Sequence, residues 1–146
     1  YLAAVSDDQS TSIVIGADDL PMVTYVDGGA VRGVHCDDLN CSTTTPFTFN
    51  GGSNADVSLT VGTDNAPVFS FWDGQTDDLL VGHCSSIECR DIFQYAVDQS
   101  GQVGKRSAIT IGTDGLPLIS YFDETNGAVK VVHCSNSSCQ PNVTRR

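Results

Sequence analysis

All three histidines of the chain stand directly before a cysteine, and each of those cysteines is followed five positions later by another. The stretches are HCDDLNC (His35, Cys36, Cys41), HCSSIEC (His83, Cys84, Cys89) and HCSNSSC (His133, Cys134, Cys139), and together they use all six cysteines. Two chemistries suit these residue types: metal ligation by imidazole and thiolate, or a disulfide-closed turn repeated three times. A structural zinc site takes four ligands, whereas one H-C-x4-C offers three at most. Neighbouring residues of a strand also point to opposite faces, so His133 and Cys134 would not converge on one ion. The disulfide reading meets neither obstacle. Three local pairs, Cys36–Cys41, Cys84–Cys89 and Cys134–Cys139, fit an oxidising compartment, and the chain-entropy argument gives roughly 2 kcal/mol for each short loop.

These motifs sit in a longer repeat. Aligned on Gly16, Gly62 and Gly112, the chain reads three times over, with spacings of 46 and 50 residues. A period in that range belongs to propeller blades or related arrays. Each copy opens with a short β-branched run (Ile13–Ile15, Leu59–Val61, Ile109–Ile111). A G-x-D turn follows, in which Asp18, Asp64 and Asp114 are turn-forming residues. A second strand (Met22–Val26, Val68–Trp72, Leu118–Phe122) ends at Asp27, Asp73 or Asp123. A third strand ends in His-Cys, and PFTFN or IFQYAVD supplies a fourth. No segment carries a helical period. The histidines, at strand ends, are expected to hydrogen-bond a neighbouring turn or repeat.

The pattern I-G-x-D-G-x-P-x-I-S-Y-x-D…H-C-x4-C is fullest in the third copy, ITIGTDGLPLISYFD…VVHCSNSSC. Copy one departs at Thr24 and copy two at Phe71. It resembles the repeats of secreted bacterial β-propeller-like proteins, and the resemblance covers nearly the whole chain. The expected fold is all-β: three four-stranded antiparallel propeller-type blades (about 12–57, 58–106 and 107–146), each with a local disulfide.

The ends are out of phase with the repeat. YLAAVSDDQSTS before copy one matches YAVDQSGQVGKRS before copy three, so residues 1–11 carry the fourth strand of a preceding blade. Copy three ends in CQPNVTRR, with its own fourth strand short or missing. Three blades are few for a closed propeller. The blades are therefore expected to be completed by strand exchange between chains or within a longer array. Tyr1, Leu2, Ala3, Ala4 and Val5 would form the assembly strand, pairing with a neighbour's last blade beside the strand that ends at Cys134. A head-to-tail contact of that kind gives a ring or an open fibre. The start at Tyr1 rather than methionine points to a processed or excerpted polypeptide.

The net charge of −11 disfavours nucleic acid and anionic membrane surfaces as partners. No apolar run reaches the length of a membrane-spanning helix. Sequons at Asn40, Asn136 and Asn142 are expected glycosylation sites. No catalytic motif such as G-x-S-x-G or H-E-x-x-H occurs, no D-x-D-x-D-G calcium loop occurs, and no cofactor is called for. The reading is a non-enzymatic extracellular or cell-surface assembly module whose partner is itself. The alternative is a carbohydrate-binding propeller, with Trp72, Tyr25 or Tyr121 stacking on sugar rings. A sialidase- or glycosidase-type hydrolase, which needs a carboxylate pair at a set separation, ranks behind both.

Overall fold

A computed structural model describes residues 2–5, 10–49, 56–140 and the backbone of the strand at 142–145. Among the described residues twelve strands form three antiparallel four-stranded meanders. Sheet I holds β1 (Thr11–Ile15), β2 (Pro21–Asp27), β3 (Ala30–Cys36) and β4 (Thr44–Phe49). Sheet II holds β5 (Val57–Val61), β6 (Pro67–Asp73), β7 (Asp78–Cys84) and β8 (Ile92–Asp98). Sheet III holds β9 (Val103–Ile111), β10 (Pro117–Asp123), β11 (Ala128–Cys134) and β12 (Asn142–Arg145). The three sheets do not close on themselves.

The G-x-D turns join the first two strands of each sheet by one hydrogen-bond pattern. The amides of Gly16, Gly62 and Gly112 each donate at 2.8 Å to the carbonyls of Leu20, Ala66 and Leu116. Oδ1 of Asp18, Asp64 and Asp114 accepts the amide two residues on at 3.2 Å. A Cβ at any of the three glycines would lie 2.6–2.8 Å from that oxygen, so glycine is needed for close approach.

Packing is sequential. The face of sheet I that carries Met22, Val26, Phe47 and Phe49 meets the face of sheet II that carries Leu59, Phe69 and Phe71. The opposite face of sheet II, with Val68, Leu79, Val81 and Val97, meets Ile109, Ile119, Tyr121 and Val132 of sheet III. Period-two alternation thus produces two cores, one aromatic and one mostly aliphatic, with sheet II buried on both sides. Serines bind the sheets edge to edge: Ser12 Oγ accepts the Leu59 amide at 3.0 Å, and Ser58 Oγ accepts the Ile109 amide at 3.1 Å.

The second core also contains charge. Lys130, only 3% exposed, places Nζ 2.9 Å from Asp98 Oδ2 and 2.8 Å from Asp123 Oδ2. Tyr121 donates its hydroxyl to Asp98 at 2.6 Å, and the Asn126 amide groups cap Asp123. The ammonium and the Asn126 donors hold the Asp123 carboxyl down at about 2. Burial pushes Asp98 up, but the Tyr121 hydroxyl, Lys130 and the Ser100 amide outweigh it and the net direction is down. Burial likewise opposes charge on Lys130, and its two carboxylates reverse the effect, raising it.

Close approach of backbones sets a further constraint at Gly104, where φ is +105° and an added Cβ would stand 2.7 Å from Leu79 Cα. Gly104→Ala is therefore expected to destabilise the fold by about 1–3 kcal/mol through strain at a positive φ and a clash with backbone that cannot rotate away. Urea unfolding of the variant against the parent checks it.

The fourth strand of the third copy is short but present. β12 pairs with β11 in the register Val131↔Arg145 to Cys134↔Asn142, and so holds the edge beside Cys134 where residues 1–5 were expected. The reason is proximity in the chain: β12 follows Cys139 almost at once, so closing the sheet from within costs little loop entropy. Leu2, Ala3, Ala4 and Val5 lie in no strand, and Tyr1 falls outside the described residues.

Candidate functional site

Each His-Cys step directs its two side chains to opposite faces, as strand alternation requires. The cysteine turns toward the preceding core or the rim of its own sheet and closes a disulfide: Cys36–Cys41, Cys84–Cys89 and Cys134–Cys139, with Cα atoms 4.7, 4.8 and 4.4 Å apart. The second cysteine of each pair adopts positive φ, from 51° to 60°. Its amide returns to the carbonyl of Asp38, Ser86 or Asn136 at 3.0–3.1 Å. No free cysteine exists, and no group of three metal-ligating side chains occurs among the described residues.

The histidine points the other way, to the turn aspartate of its own copy. Nε2 of His35, His83 and His133 lies 2.9, 2.8 and 2.7 Å from Oδ2 of Asp18, Asp64 and Asp114. The expectation of a bond to a neighbouring turn is met in a specific form. In copies two and three the aspartate serves both the turn, through Oδ1, and the imidazole, through Oδ2; in copy one His35 Nε2 lies close to Asp18 Oδ2 without hydrogen-bond geometry. The Leu116 amide and the His133 side chain hold Asp114 below its ordinary range.

The three pairs are not equivalent in their surroundings. His35 is covered by sheet II, whereas the pair in sheet II sits at the rim of its contact with sheet III, in a cleft of about 370 Å³. The cleft is bordered by Asp64, His83, Ser85, Phe93, Tyr95 and Ser138. Phe93 is directly opposite His83 in the β7–β8 register, so the two side chains share a face as cross-strand neighbours. Its ring is 53% exposed, with Tyr95 two residues further along the same face. The corresponding partner of His35 is Thr45 and that of His133 is Val143. Copy two is thus the one that sets an aromatic ring beside its histidine–aspartate pair. Ser138, from the disulfide loop of copy three, closes the far side, so the cleft is built by two sheets.

Such a cleft offers an apolar face, a histidine and a carboxylate with unused lone pairs, and serine hydroxyls that both donate and accept. Its size lies in the range of small-molecule clefts, about 300–1,000 Å³. Among the described residues Asp64 is the one carboxylate bordering it.

The aromatic residues expected to stack on sugars lie elsewhere. Tyr121 is buried with its hydroxyl on Asp98. Trp72 is half-buried, with the Lys105 ammonium 4.7 Å from its ring centre. Tyr25 is half-buried on β2 of sheet I. Phe93 and Tyr95 were legible only as strand residues of IFQYAVD. An alternation of aromatic and polar residues in that run was the available signal. Of the sequons, Asn40 is exposed, its backbone amide held by Asp38 Oδ1 at 2.7 Å. Asn136 spans its disulfide loop, its side chain donating to the Gln140 carbonyl and accepting the Gln140 amide at 2.9 Å. The side chain of Asn142 lies outside the described residues.

No protein-family model matches the chain, and no curated protein matches it. Among solved structures it is similar to a fucose lectin from Kordia zhangzhouensis in complex with methyl-fucoside. The two share 9% identity, the match covers 93% of this chain and 97% of that one, and the TM-score is 0.55. At that identity the likeness is one of fold, and it extends over almost the full length of both chains.

Proposed function

We propose that the chain is a carbohydrate-binding module of an extracellular or cell-surface protein, and that the cleft between sheets II and III is its binding site. The observation that carries this reading is the exposed Phe93 ring beside the His83–Asp64 pair. A sugar presents an apolar face of C–H groups and a rim of hydroxyls. An aromatic ring takes the first, and a carboxylate, an imidazole and serines take the second. The fold likeness to a fucose lectin supports the class of ligand, and three disulfides fit an oxidising compartment. Propeller-type blades are the natural description of the three sheets on this reading. A fibre built by adding residues 1–5 to a neighbour's last sheet has less support, because β12 holds that edge. A glycosidase has less still, with one carboxylate at the cleft.

Isothermal titration with fucosides and a panel of other monosaccharides tests the proposal. The expected result is binding that Phe93→Ala weakens about tenfold or more, the size of one lost aromatic burial of roughly 1.5–3 kcal/mol. Asp64→Asn keeps the turn bond to the Ala66 amide while removing the charge, and should weaken binding without lowering the melting temperature much. Failure of every glycan to bind at millimolar concentration would remove the function. Binding undisturbed by Phe93→Ala would move the site elsewhere.

A further inference from the structure

Sheet II has both faces covered, and each outer sheet has one face with no sheet against it among the described residues, although Val34 and Cys36 on that face of sheet I are buried. The open faces are opposite ones. In β2 the residues turned away from sheet II are Val23, Tyr25 and Asp27, while in β10 they are Leu118, Ser120 and Phe122. The repeat lets each open position be compared with its covered equivalents. Ile13 on β1 is 66% exposed, whereas Leu59 and Ile109, which occupy its place in β5 and β9, are 6% and 8% exposed. At the other end Val129 and Val131 of β11 are 72% and 38% exposed, whereas Leu79 and Val81 in the same places of β7 are fully buried. Residues that serve as interface inside the chain are thus laid open at its two ends.

The shapes correspond as well. The open face of sheet III carries a groove of about 170 Å³ bordered by Ala108, Thr110, Leu118, Ser120 and Val131. The same positions of sheet II, among them Val68 and Val81, form the core that receives Ile109. In sheet I, Met22 and Val14 pack in the core that receives Leu59. The groove on sheet III therefore has the form of a seat for one more β-branched or leucine side chain in the first-strand position, and Ile13 is the residue of this chain that stands in that position uncovered.

We propose that the open face of sheet III receives sheet I of a second copy of this chain, head to tail, with Ile13 of one copy seated in the groove of the other. The argument is continuity: the contact repeats the I–II and II–III contacts already present, with the same positions on both sides. One difference marks it as a joint between chains. Ser12 and Ser58 each accept the amide of the next sheet's first strand, and Ala108 stands in their place on sheet III. The joint lacks that hydrogen bond and is weaker than its internal counterparts. The proposal is independent of the carbohydrate reading, and it needs no strand to leave its sheet.

The test is mass in solution over a range of concentration, by analytical ultracentrifugation, for the whole chain and three variants. The unaltered chain is expected to sediment as a species larger than one chain. Ile13→Asp and Val131→Asp, each at an exposed position of its own copy, are each expected to be monomeric with an unchanged circular-dichroism spectrum. Mixed together they should form a two-chain complex, since each retains the face the other has lost. Ala108→Ser should tighten association several-fold by restoring the missing acceptor. A chain that stays monomeric at all concentrations overturns the proposal. So does a mixture with no two-chain species, which would mark a symmetric contact or another occupant. So does an Ala108→Ser variant that associates no more tightly than its parent. Recovery of the native protein as one longer polypeptide, with further copies of the repeat covering these faces, also overturns it.

Discussion

Lys130→Met should destabilise the fold by about 3–5 kcal/mol, the cost of leaving buried charge without its partner. The ammonium lies between two carboxylates that belong to different sheets, Asp98 at the end of β8 and Asp123 at the end of β10. Methionine fills much the same volume and restores none of the donors. Asp98 would keep the Tyr121 hydroxyl and the Ser100 amide, and Asp123 would keep Asn126, so both retain some hydrogen bonds but, buried and unneutralised, repel one another. Copy two shows the apolar alternative, with Phe71 and Leu80 where copy three has Tyr121 and Lys130. Removing a carboxylate together with the lysine, as Asp98→Ala with Lys130→Met, should accordingly cost less than the sum of the two changes. Thermal melts of the three variants provide the comparison. The same cluster fixes the direction of pH dependence. Asp123 is depressed in the folded chain to about 2 from 3.8, so its contribution is present above the unfolded value and lost as the pH falls from about 4 toward 2. Lys130 is raised, so its contribution is present below its ordinary value of 10.5 and is lost only as the pH rises through the higher folded value. Melting temperature should therefore fall steeply on the acid side, and Lys130→Met should flatten that fall.

Phe69→Ala should cost about as much, roughly 3–5 kcal/mol, by opening a cavity in the aromatic core that joins sheets I and II. The Phe69 ring is wholly buried, its centre 3.8 Å from that of Phe49 and 5.8 Å from that of Phe71. It lies across Gly82, where a Cβ would stand 1.9 Å from the ring. The absence of a side chain at Gly82 is thus what lets the ring lie flat on its own sheet and still reach the neighbouring one. Gly82→Ala alone should be destabilising, and in the Phe69→Ala background it should be tolerated. A double-mutant cycle by urea denaturation reads that coupling directly. At about 2–4 °C per kcal/mol for a chain of this size, the single truncation is also visible in a melt.

Much of this organisation is legible in the sequence because it is local. The G-x-D turns, the alternation in the strands and the H-C-x4-C spacing depend on residues a few positions apart, and the strands and disulfides followed from them. The histidine and the turn aspartate were each placed at a strand end or a turn. Their pairing was not evident, because 17 to 19 residues separate His35 from Asp18, His83 from Asp64 and His133 from Asp114, and only the register of the hairpin brings them together. What was not legible depends on which sheet covers which face. Phe93 is exposed because sheet III stops short of it, and Tyr121, on sheet III itself, is buried because sheet II covers it, and no pattern within β8 or β10 encodes that. Lys130 was the missed signal. A lysine in the apolar run AVKVVHC, in a chain with only two lysines, is an ion pair awaiting its partners.

The disulfides carry a consequence for how the chain matures. Six thiols allow fifteen pairings in a reduced chain, and in most small exported proteins the search among them waits on folding. Here every correct partner is five positions away, at a contour distance where closure is fast and its entropic cost small, while any wrong partner is more than forty positions away. Oxidation can therefore proceed copy by copy as the polypeptide emerges, before any sheet has met its neighbour, and its kinetics should depend little on whether the chain is folded.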